Sequence, residues 1–245
     1  MISNDVNFRF FGNCCLKAAV LAGGFGKRLR PLTNDRPKPL VEVCGRSIIE
    51  WQISWLRRYG VNVLVVLAGY LREKLIDYLG SGSKYGIKIT YVVEDEPLGT
   101  GGALKNAEYV LNDSVFVVLN GDVITNLDLS RLFNELLNSK ALIAIALTPL
   151  KSPYGIVKLG KDSYVESFIE KPLIKEYLIN AGVYAMKPEV FKYIPEKGDL
   201  ERTTFPKLAS EGLIKGVVFE DCYWRSIDTL KDIEETSKEL ENIKF

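Results

Sequence analysis

Residues 17–22, KAAVLA, are apolar at every position after the lysine and run directly into Gly23, Gly24 and Gly26. A short unbroken apolar run reads as a strand buried on both faces, which needs a sheet covered by helices on either side. The glycines at its end permit tight backbone geometry and close approach of a bulky anion. The same arrangement repeats along the chain. Residues 48–59 carry apolar side chains at helical spacing and stop at Gly60, where a left-handed residue ends a helix without strain. A strand is predicted at 61–68, a helix at 72–79, a strand at 87–93 and a helix at about 102–110. A fourth strand at 115–119 ends on Asn120-Gly121-Asp122.

Strand and helix in alternation predict an α/β fold: a Rossmann-like mixed, mostly parallel sheet with helices on both faces. Such sheets take ligands at the carboxyl ends of their strands. The glycine-rich loop, the Pro-Gly loop at 97–104 and Asp122 all fall at such ends. From Ala141 the pattern changes. Strand-like runs at 141–147, 156–159, 165–170 and 178–186 lie close together, separated by turn residues such as Ser152-Pro153 and Gly160. Residues 229–243 read as a charged amphipathic helix with Thr229 as its N-cap. There is no internal repeat, low-complexity tract or long linker. The expected organisation is a two-lobed single domain, the second lobe completing the sheet and walling a cleft.

Charge narrows the class of partner. Lys and Arg total 32 against 31 Asp and Glu, so no net field draws the chain to nucleic acid or a membrane surface. A small-molecule partner is expected. No histidine occurs, which excludes Ser-His-Asp chemistry, His-ligated zinc and histidine general bases together. Cys14, Cys15, Cys44 and Cys222 lack paired metal spacing and are expected to be reduced. Residues 1–16 have neither the basic start nor the apolar stretch of a signal peptide and are expected to form a disordered N-terminal extension. No stretch approaches the roughly 18 apolar residues of a membrane span, so the expected compartment is cytoplasmic.

The loop after the first strand, LAGGFGKRLRPLTNDRPKPL at 21–40, adds cations and stiffness to its glycines. Arg28 and Lys38 supply charge, and Pro31, Pro37 and Pro39 rigidify the segment that carries them. Two common glycine motifs do not fit. A Walker A loop ending at Gly26-Lys27 would need glycine at Leu21 and Ser or Thr at Arg28. A dinucleotide fingerprint starting at Gly24 would need glycine at Leu29. The stretch resembles instead the signature of the sugar-nucleotide pyrophosphorylases, the sugar-1-phosphate nucleotidyltransferases. The similarity continues through PLGTGGAL at 97–104, LNGD at 119–122, EKP at 170–172 and NAGVY at 180–184, and covers residues 17–235. In motif style the chain is similar to the mannose-1-phosphate and heptose-1-phosphate guanylyltransferases.

The resemblance implies a nucleotidyltransferase domain at 17–245, with a nucleotide-binding lobe at 17–140. A sugar-phosphate lobe and the C-terminal helix would occupy 141–245. It implies that backbone at Leu21, Ala22, Gly23 and Gly24 holds the nucleotide, that Arg28 contacts the triphosphate and that Lys38 lies near the reacting phosphate. Asp122 is implied as a ligand of Mg²⁺, which takes oxygen ligands and bridges phosphates; outside that context an Asn-Gly-Asp aspartate reads as a turn residue. Lys171 resembles the lysine that pairs with the sugar's phosphate, and Glu170 the residue that holds sugar hydroxyls. Taken alone, Glu-Lys-Pro reads as a solvated strand end. Gly155 and Asn180 resemble further sugar-side contacts.

One segment departs from the family. Where the pattern has a metal-binding Asp two residues after a Trp, this chain has Ser226, and Asp228 stands where the pattern has Gly. In an extended segment residues two apart face the same side, which makes Asp228 a candidate metal ligand. The alternative is that Asp228 caps the final helix and leaves the metal to Asp122, phosphates and water.

Glu94 falls at the base-reading position of EDEPLG, a loop that closes on Gly99. An ionised Glu only accepts hydrogen bonds, and guanine presents N1–H and its N2 amino group as adjacent donors. Uracil or thymine offers one N–H flanked by acceptors, which suits Gln. The expected reaction is therefore nucleotidyl transfer from GTP to a sugar 1-phosphate, mannose 1-phosphate being the family's commonest partner of GTP. Three alternatives stay open: Glu94 facing solvent, a thymidylyl- or uridylyltransferase acting on glucose 1-phosphate, and a non-catalytic nucleotide-sugar-binding regulatory subunit of the same fold. At 245 residues the family's frequent C-terminal left-handed β-helix is not expected. A homo-oligomer is compatible with the sequence but not specified by it.

Overall fold

Strand β1 (Leu16–Ala22) shows why its segment is apolar throughout. Ala18, Val20 and Ala22 pack into one core layer, and Ala19 and Leu21 pack into the other. The computed structural model describes residues 16–241 and residue 243. Of the extension expected at 1–16, residues 1–15 lie outside them, Cys14 and Cys15 included, while Leu16 belongs instead to β1 and is buried.

After the glycine-rich loop, α1 (Ile48–Arg58) opens on a capping box. The Ser47 backbone N–H and hydroxyl both donate to Glu50 Oε2, at 2.9 and 3.0 Å. It ends before Gly60, whose φ of 77° lies in the left-handed region the sequence called for. Then come β2 (Val61–Ala68), α2 (Arg72–Leu79) and β3 (Lys88–Val93).

The next helix differs from expectation. It starts earlier, as α3 (Gly99–Asn106), and breaks at Ala107 before the single turn α4 (Glu108–Leu111). The reason is tertiary. The backbone N–H groups of Gly101 and Gly102 donate to the Gly198 carbonyl at 2.9 and 3.1 Å, so the glycine-rich first turn lies flat on a distant loop. Poor intrinsic helix formers hold a helix there because that surface completes their hydrogen bonding.

The chain continues through β4 (Phe116–Asn120), β5 (Val123–Thr125), α5 (Leu129–Leu137) and β6 (Ile143–Lys151). A hairpin of β7 (Ile156–Leu159) and β8 (Val165–Ile169) leads into β9 (Leu173–Met186), which starts before the expected residue 178 by pairing with the end of β6 across a register shift. Last come α6 (Thr204–Ser210), β10 (Ile214–Val218), β11 (Trp224–Ser226) and α7 (Leu230–Leu240).

Seven strands form one sheet in the order β10-β6-β9-β4-β1-β2-β3. Neighbours are parallel except β9, which runs antiparallel to both β4 and β6. Helices α1, α2 and α5 bury their apolar stripes on one face, and α3, α4 and α6 on the other. The mixed, mostly parallel sheet expected from the sequence is therefore present, and strands from both halves of the chain share it. Register brings the rim at the carboxyl ends of its parallel strands into line. Ala22 pairs with Ala68, Ala68 with Val93, and Leu21 with Asn120. Gly23, Gly69, Glu94 and Gly121 thus leave their four strands side by side.

Candidate active site

The glycine-rich loop is fastened at both ends. Gly26 takes φ 59°, and its carbonyl accepts from the Thr33 hydroxyl at 2.8 Å. Leu29 is fully buried in a third apolar cluster with Val41, Ile124 and Ile227. That anchor leaves Arg28, its neighbour, 72% exposed at the rim of a cleft. The Pro37-Lys38-Pro39 turn then returns the chain, and Lys38 points into the same cleft.

The loop carrying Asp122 is braced from three directions. Gly121 N–H donates to the Leu21 carbonyl at 3.1 Å, and a side chain at Gly121 would strike that carbonyl. Buried Gln52 on α1 donates through Nε2 to the carbonyls of Asn120 (2.8 Å) and Val123 (2.9 Å), one on either side of Asp122. From the far end of the chain, β11 pairs antiparallel with β5, Ser226 opposite Val123. One step further, Ile227 N–H donates to the Asp122 carbonyl at 2.9 Å.

These braces converge on a cation between two carboxylates. Lys38 Nζ donates to Asp122 Oδ2 at 2.6 Å and to Asp228 Oδ1 at 2.6 Å. Arg28 Nη2 donates to the same Asp228 oxygen at 2.7 Å, and the Ser226 hydroxyl donates to Asp228 Oδ2 at 3.0 Å. Burial would raise the Asp228 carboxyl, but Lys38, Ser226 and Arg28 outweigh it and hold the group below the usual 3.8. The final helix is capped by other residues: Thr229 is its N-cap, and Asp232 Oδ2 accepts from the backbone of Asp228 and Thr229. The Asp228 side chain is left for the cleft.

The same cleft, about 370 Å³, is lined by Leu21, Ala22, Gly24, Arg28, Lys38, Asp122 and Asp228 together with Phe25, Lys27, Pro39 and Gly121. Its chemistry suits a hard divalent cation. Asp122 Oδ1 is buried without a hydrogen-bond partner, an oxygen with its lone pairs free. Among the described residues no group of three or more acidic, Cys or His side chains gathers anywhere. Two carboxylates with an open side fit Mg²⁺, which keeps water and takes phosphate oxygens for its remaining positions.

The remaining sequence candidates fall elsewhere. Gly23 lies behind the cleft against Glu94, whose Oε2 accepts from Leu98 N–H at 3.2 Å. Glu94 Oε1 packs where side chains on Gly23 or Gly69 would have to go, so the carboxylate is turned inward and half-buried, and burial raises its pKa. Gly99 begins α3 with φ 78° and packs on Gly198 and Asp199. Lys171 lines a second cleft of about 590 Å³ with Trp224, Arg225 and Ser226. Gly155 and Glu170 meet at the root of the β7–β8 hairpin, the Glu170 carboxylate 2.8 Å from where a Gly155 side chain would start. Asn180 donates to the Tyr184 hydroxyl at 2.8 Å and accepts from Gly182 N–H at 2.9 Å. Of these candidates only Lys171 lines a cleft; Gly23, Glu94, Gly99, Gly155, Glu170 and Asn180 line neither.

Sequence reasoning missed Gly69, Gln52 and the hydroxyl of Ser226 as parts of this site. Gly69 had a readable signal, a glycine at the carboxyl end of a buried strand. Gln52 and Ser226 had none, because their partners are remote in the chain. Among the described residues Cys44 and Cys222 are free thiols, and no helix is long and apolar enough to cross a membrane.

The sequence pattern of the nucleotidyl transferase family matches residues 17–243. Mannose-1-phosphate guanyltransferase 2 of Candida glabrata is 40% identical over 228 residues, covering 89% of this chain and 62% of the relative. The mannose-1-phosphate guanyltransferase of Saccharomyces cerevisiae is 39% identical with the same coverage. The chain thus spans about 62% of the length of the curated relatives it matches. Among solved structures, HddC from Yersinia pseudotuberculosis superposes with a TM-score of 0.74 and 29% identity, over 92% of this chain and 99% of that one. The same protein complexed with GMP-PN gives 0.73 and 28%, again over 92% and 99%.

Proposed function

Because the chain belongs to the nucleotidyl transferase family, we propose that it transfers the guanylyl group of GTP to mannose 1-phosphate, yielding GDP-mannose and pyrophosphate. The observation that carries this reading is Lys38 joined at 2.6 Å to both Asp122 and Asp228 inside a glycine-rich cleft. Such a cluster concentrates mobile charge where a triphosphate reacts. Similarity to the guanyltransferases of two yeasts, and to a structure holding GMP-PN, supports the choice of base and sugar.

An oxygen of the sugar phosphate attacks the α-phosphorus of GTP in line. The new P–O bond forms as the bond to the β-phosphate oxygen breaks, and pyrophosphate leaves with the electron pair. A phosphate monoester has its second pKa near ~6 and is mostly dianionic at neutral pH. It needs no general base, which fits a chain without histidine. The protein's work is positioning and charge stabilisation.

In this reading the backbone at Leu21, Ala22, Gly23 and Gly24 cradles the nucleotide, Arg28 meets the triphosphate, and Lys38 turns from the carboxylates toward the reacting phosphate. Asp122 and Asp228 hold Mg²⁺, which when bound supplies positive charge to the phosphate oxygens. Glu94 and Gly99 read the guanine edge. Lys171 pairs with the sugar phosphate from the second cleft, and Glu170, Gly155 and Asn180 serve the sugar.

Pyrophosphate release measured across GTP, dTTP, UTP and CTP, each with mannose 1-phosphate and glucose 1-phosphate in Mg²⁺, tests the assignment. GTP with mannose 1-phosphate is expected to turn over fastest. Binding without turnover for every pair would replace it with a non-catalytic, regulatory role.

A further inference from the structure

Asp228 receives three hydrogen bonds, and they are not equivalent. Lys38 and Arg28 bond to Oδ1, and both are cations that a triphosphate would draw toward itself. Ser226 bonds to Oδ2 at 3.0 Å and carries no charge for a phosphate to claim. The backbone explains why this hydroxyl faces that carboxylate. Ile227, between the two, is fully buried in the apolar cluster around Leu29, and its N–H is tied to the Asp122 carbonyl at 2.9 Å. With Ile227 directed inward, its neighbours Ser226 and Asp228 project together to the opposite side. Ser226 also lines the second cleft while Asp228 lines the first, so this one hydrogen bond joins the two.

We infer that Ser226 is a positioning residue, whose hydroxyl fixes the orientation of Asp228 and so lets a carboxylate at position 228 serve as the second ligand for a divalent cation. The inference rests on the metal-dependent reading above and adds to it a requirement on a side chain that is not itself one of the proposed metal ligands. A neutral donor suits the task. It holds one oxygen of the carboxylate without neutralising the charge, leaving Oδ1 to a metal once Lys38 and Arg28 engage phosphate. A second carboxylate at 226 would instead repel Asp228 at close range. Removing a hydrogen-bonding partner of a metal ligand commonly costs about 10–100-fold in metal affinity.

The test is Mn²⁺ affinity, read by electron paramagnetic resonance, of the protein saturated with the α,β-methylene analogue of GTP. Wild type is compared with Ser226→Ala, Ser226→Thr and Asp228→Asn. Ser226→Ala is expected to bind Mn²⁺ about 10–100-fold more weakly, with Ser226→Thr restoring most of the loss and Asp228→Asn losing at least as much as Ser226→Ala. In turnover, Ser226→Ala should raise the Mg²⁺ concentration for half-maximal rate while the KM for GTP at saturating Mg²⁺ stays near wild type. Thermal melting of Ser226→Ala close to wild type separates the effect from misfolding. Unchanged Mn²⁺ affinity in Ser226→Ala overturns the inference whatever Asp228→Asn does. Failure of wild type to turn over any substrate pair is a separate result, and it strikes the proposed reaction instead.

Discussion

The backbone N–H of Ile227 donates to the carbonyl of Asp122 at 2.9 Å, adding one rung beyond the short β5–β11 ladder. That rung ties the end of the chain to the rim of the sheet at the point where Asp122 emerges. Asp228 follows one residue later, and Lys38 reaches both carboxylates at 2.6 Å. If the pair carries catalysis, Asp122→Asn, Asp228→Asn and Lys38→Ala should each lower kcat by about 10²–10³-fold. Their melting temperatures should move by no more than about 5 °C. Steady-state kinetics beside calorimetry decides the matter, and near-wild-type rates in any of the three would remove that residue from the machinery.

Glu94 gives a prediction with two readouts. Burial raises its carboxyl above the usual 4.5. A raised acid favours the folded state while protonated, so its contribution is present below 4.5 and becomes a cost as pH rises through the raised value. Glu94→Gln removes that cost, and the ligand-free variant should melt at or above wild type at pH 7, the two converging below pH 4.5. The same substitution should shift kcat/KM from GTP toward UTP or dTTP by about 10–100-fold. A lower melting temperature at pH 7 contradicts the burial argument, and unchanged selectivity contradicts the role in base reading.

At Gly121 the constraint is steric. A methyl group there would strike the Leu21 carbonyl and lie 3.0 Å from Pro39 Cγ. Gly121→Ala must therefore spread the end of β4 away from β1 and from the turn that carries Lys38. The expected outcome is a stability loss of about 1–3 kcal/mol by urea unfolding and a disproportionate fall in kcat. Wild-type turnover in a destabilised variant would mean that the loop regains its geometry when substrates bind.

Helix α7 is held to β11 by Arg225, which donates through Nε to Glu239 Oε2 at 2.8 Å and through Nη2 to Oε1. Its guanidinium keeps the Glu239 carboxyl below the usual 4.5. A depressed carboxylate contributes stability above its ordinary pKa and loses it as pH falls through the lowered value. Arg225→Met should cost about 1–2 kcal/mol at pH 7, less than a fully buried pair because Glu239 remains partly solvated. The gap from wild type should narrow as pH drops below 4.5. A gap that is constant with pH would assign the loss to packing alone.

Strands β1, β2 and β4 and helices α1, α2 and α7 were legible because apolar period, capping residues and terminal glycines are local. Residues 61–68 and 72–79 coincide with Val61–Ala68 and Arg72–Leu79. Helix α3 was misplaced because Gly99, Gly101 and Gly102 weaken helix by themselves, and Gly101 and Gly102 are held by the Gly198 carbonyl, nearly a hundred positions away. In the site, the glycines and cations that line the first cleft were legible in the composition of the loop at 21–40. The orientation of Glu94 was not legible, since it depends on Gly23 and Gly69 arriving side by side from two strands.

What the chain's order of residues determined unaided was the layered α/β plan, the glycine-rich cationic loop at the end of its first strand, and a site built without histidine. Each follows from side-chain period or composition, which short-range physics can read. Tertiary structure alone decided that Asp228 faces Lys38 and Asp122 rather than capping α7, and that Ser226 holds it there. Those outcomes depend on the register between β5 and β11 and on the burial of Ile227. Register is set by the packing of whole elements, and no window of sequence around Asp228 contains the residues that set it.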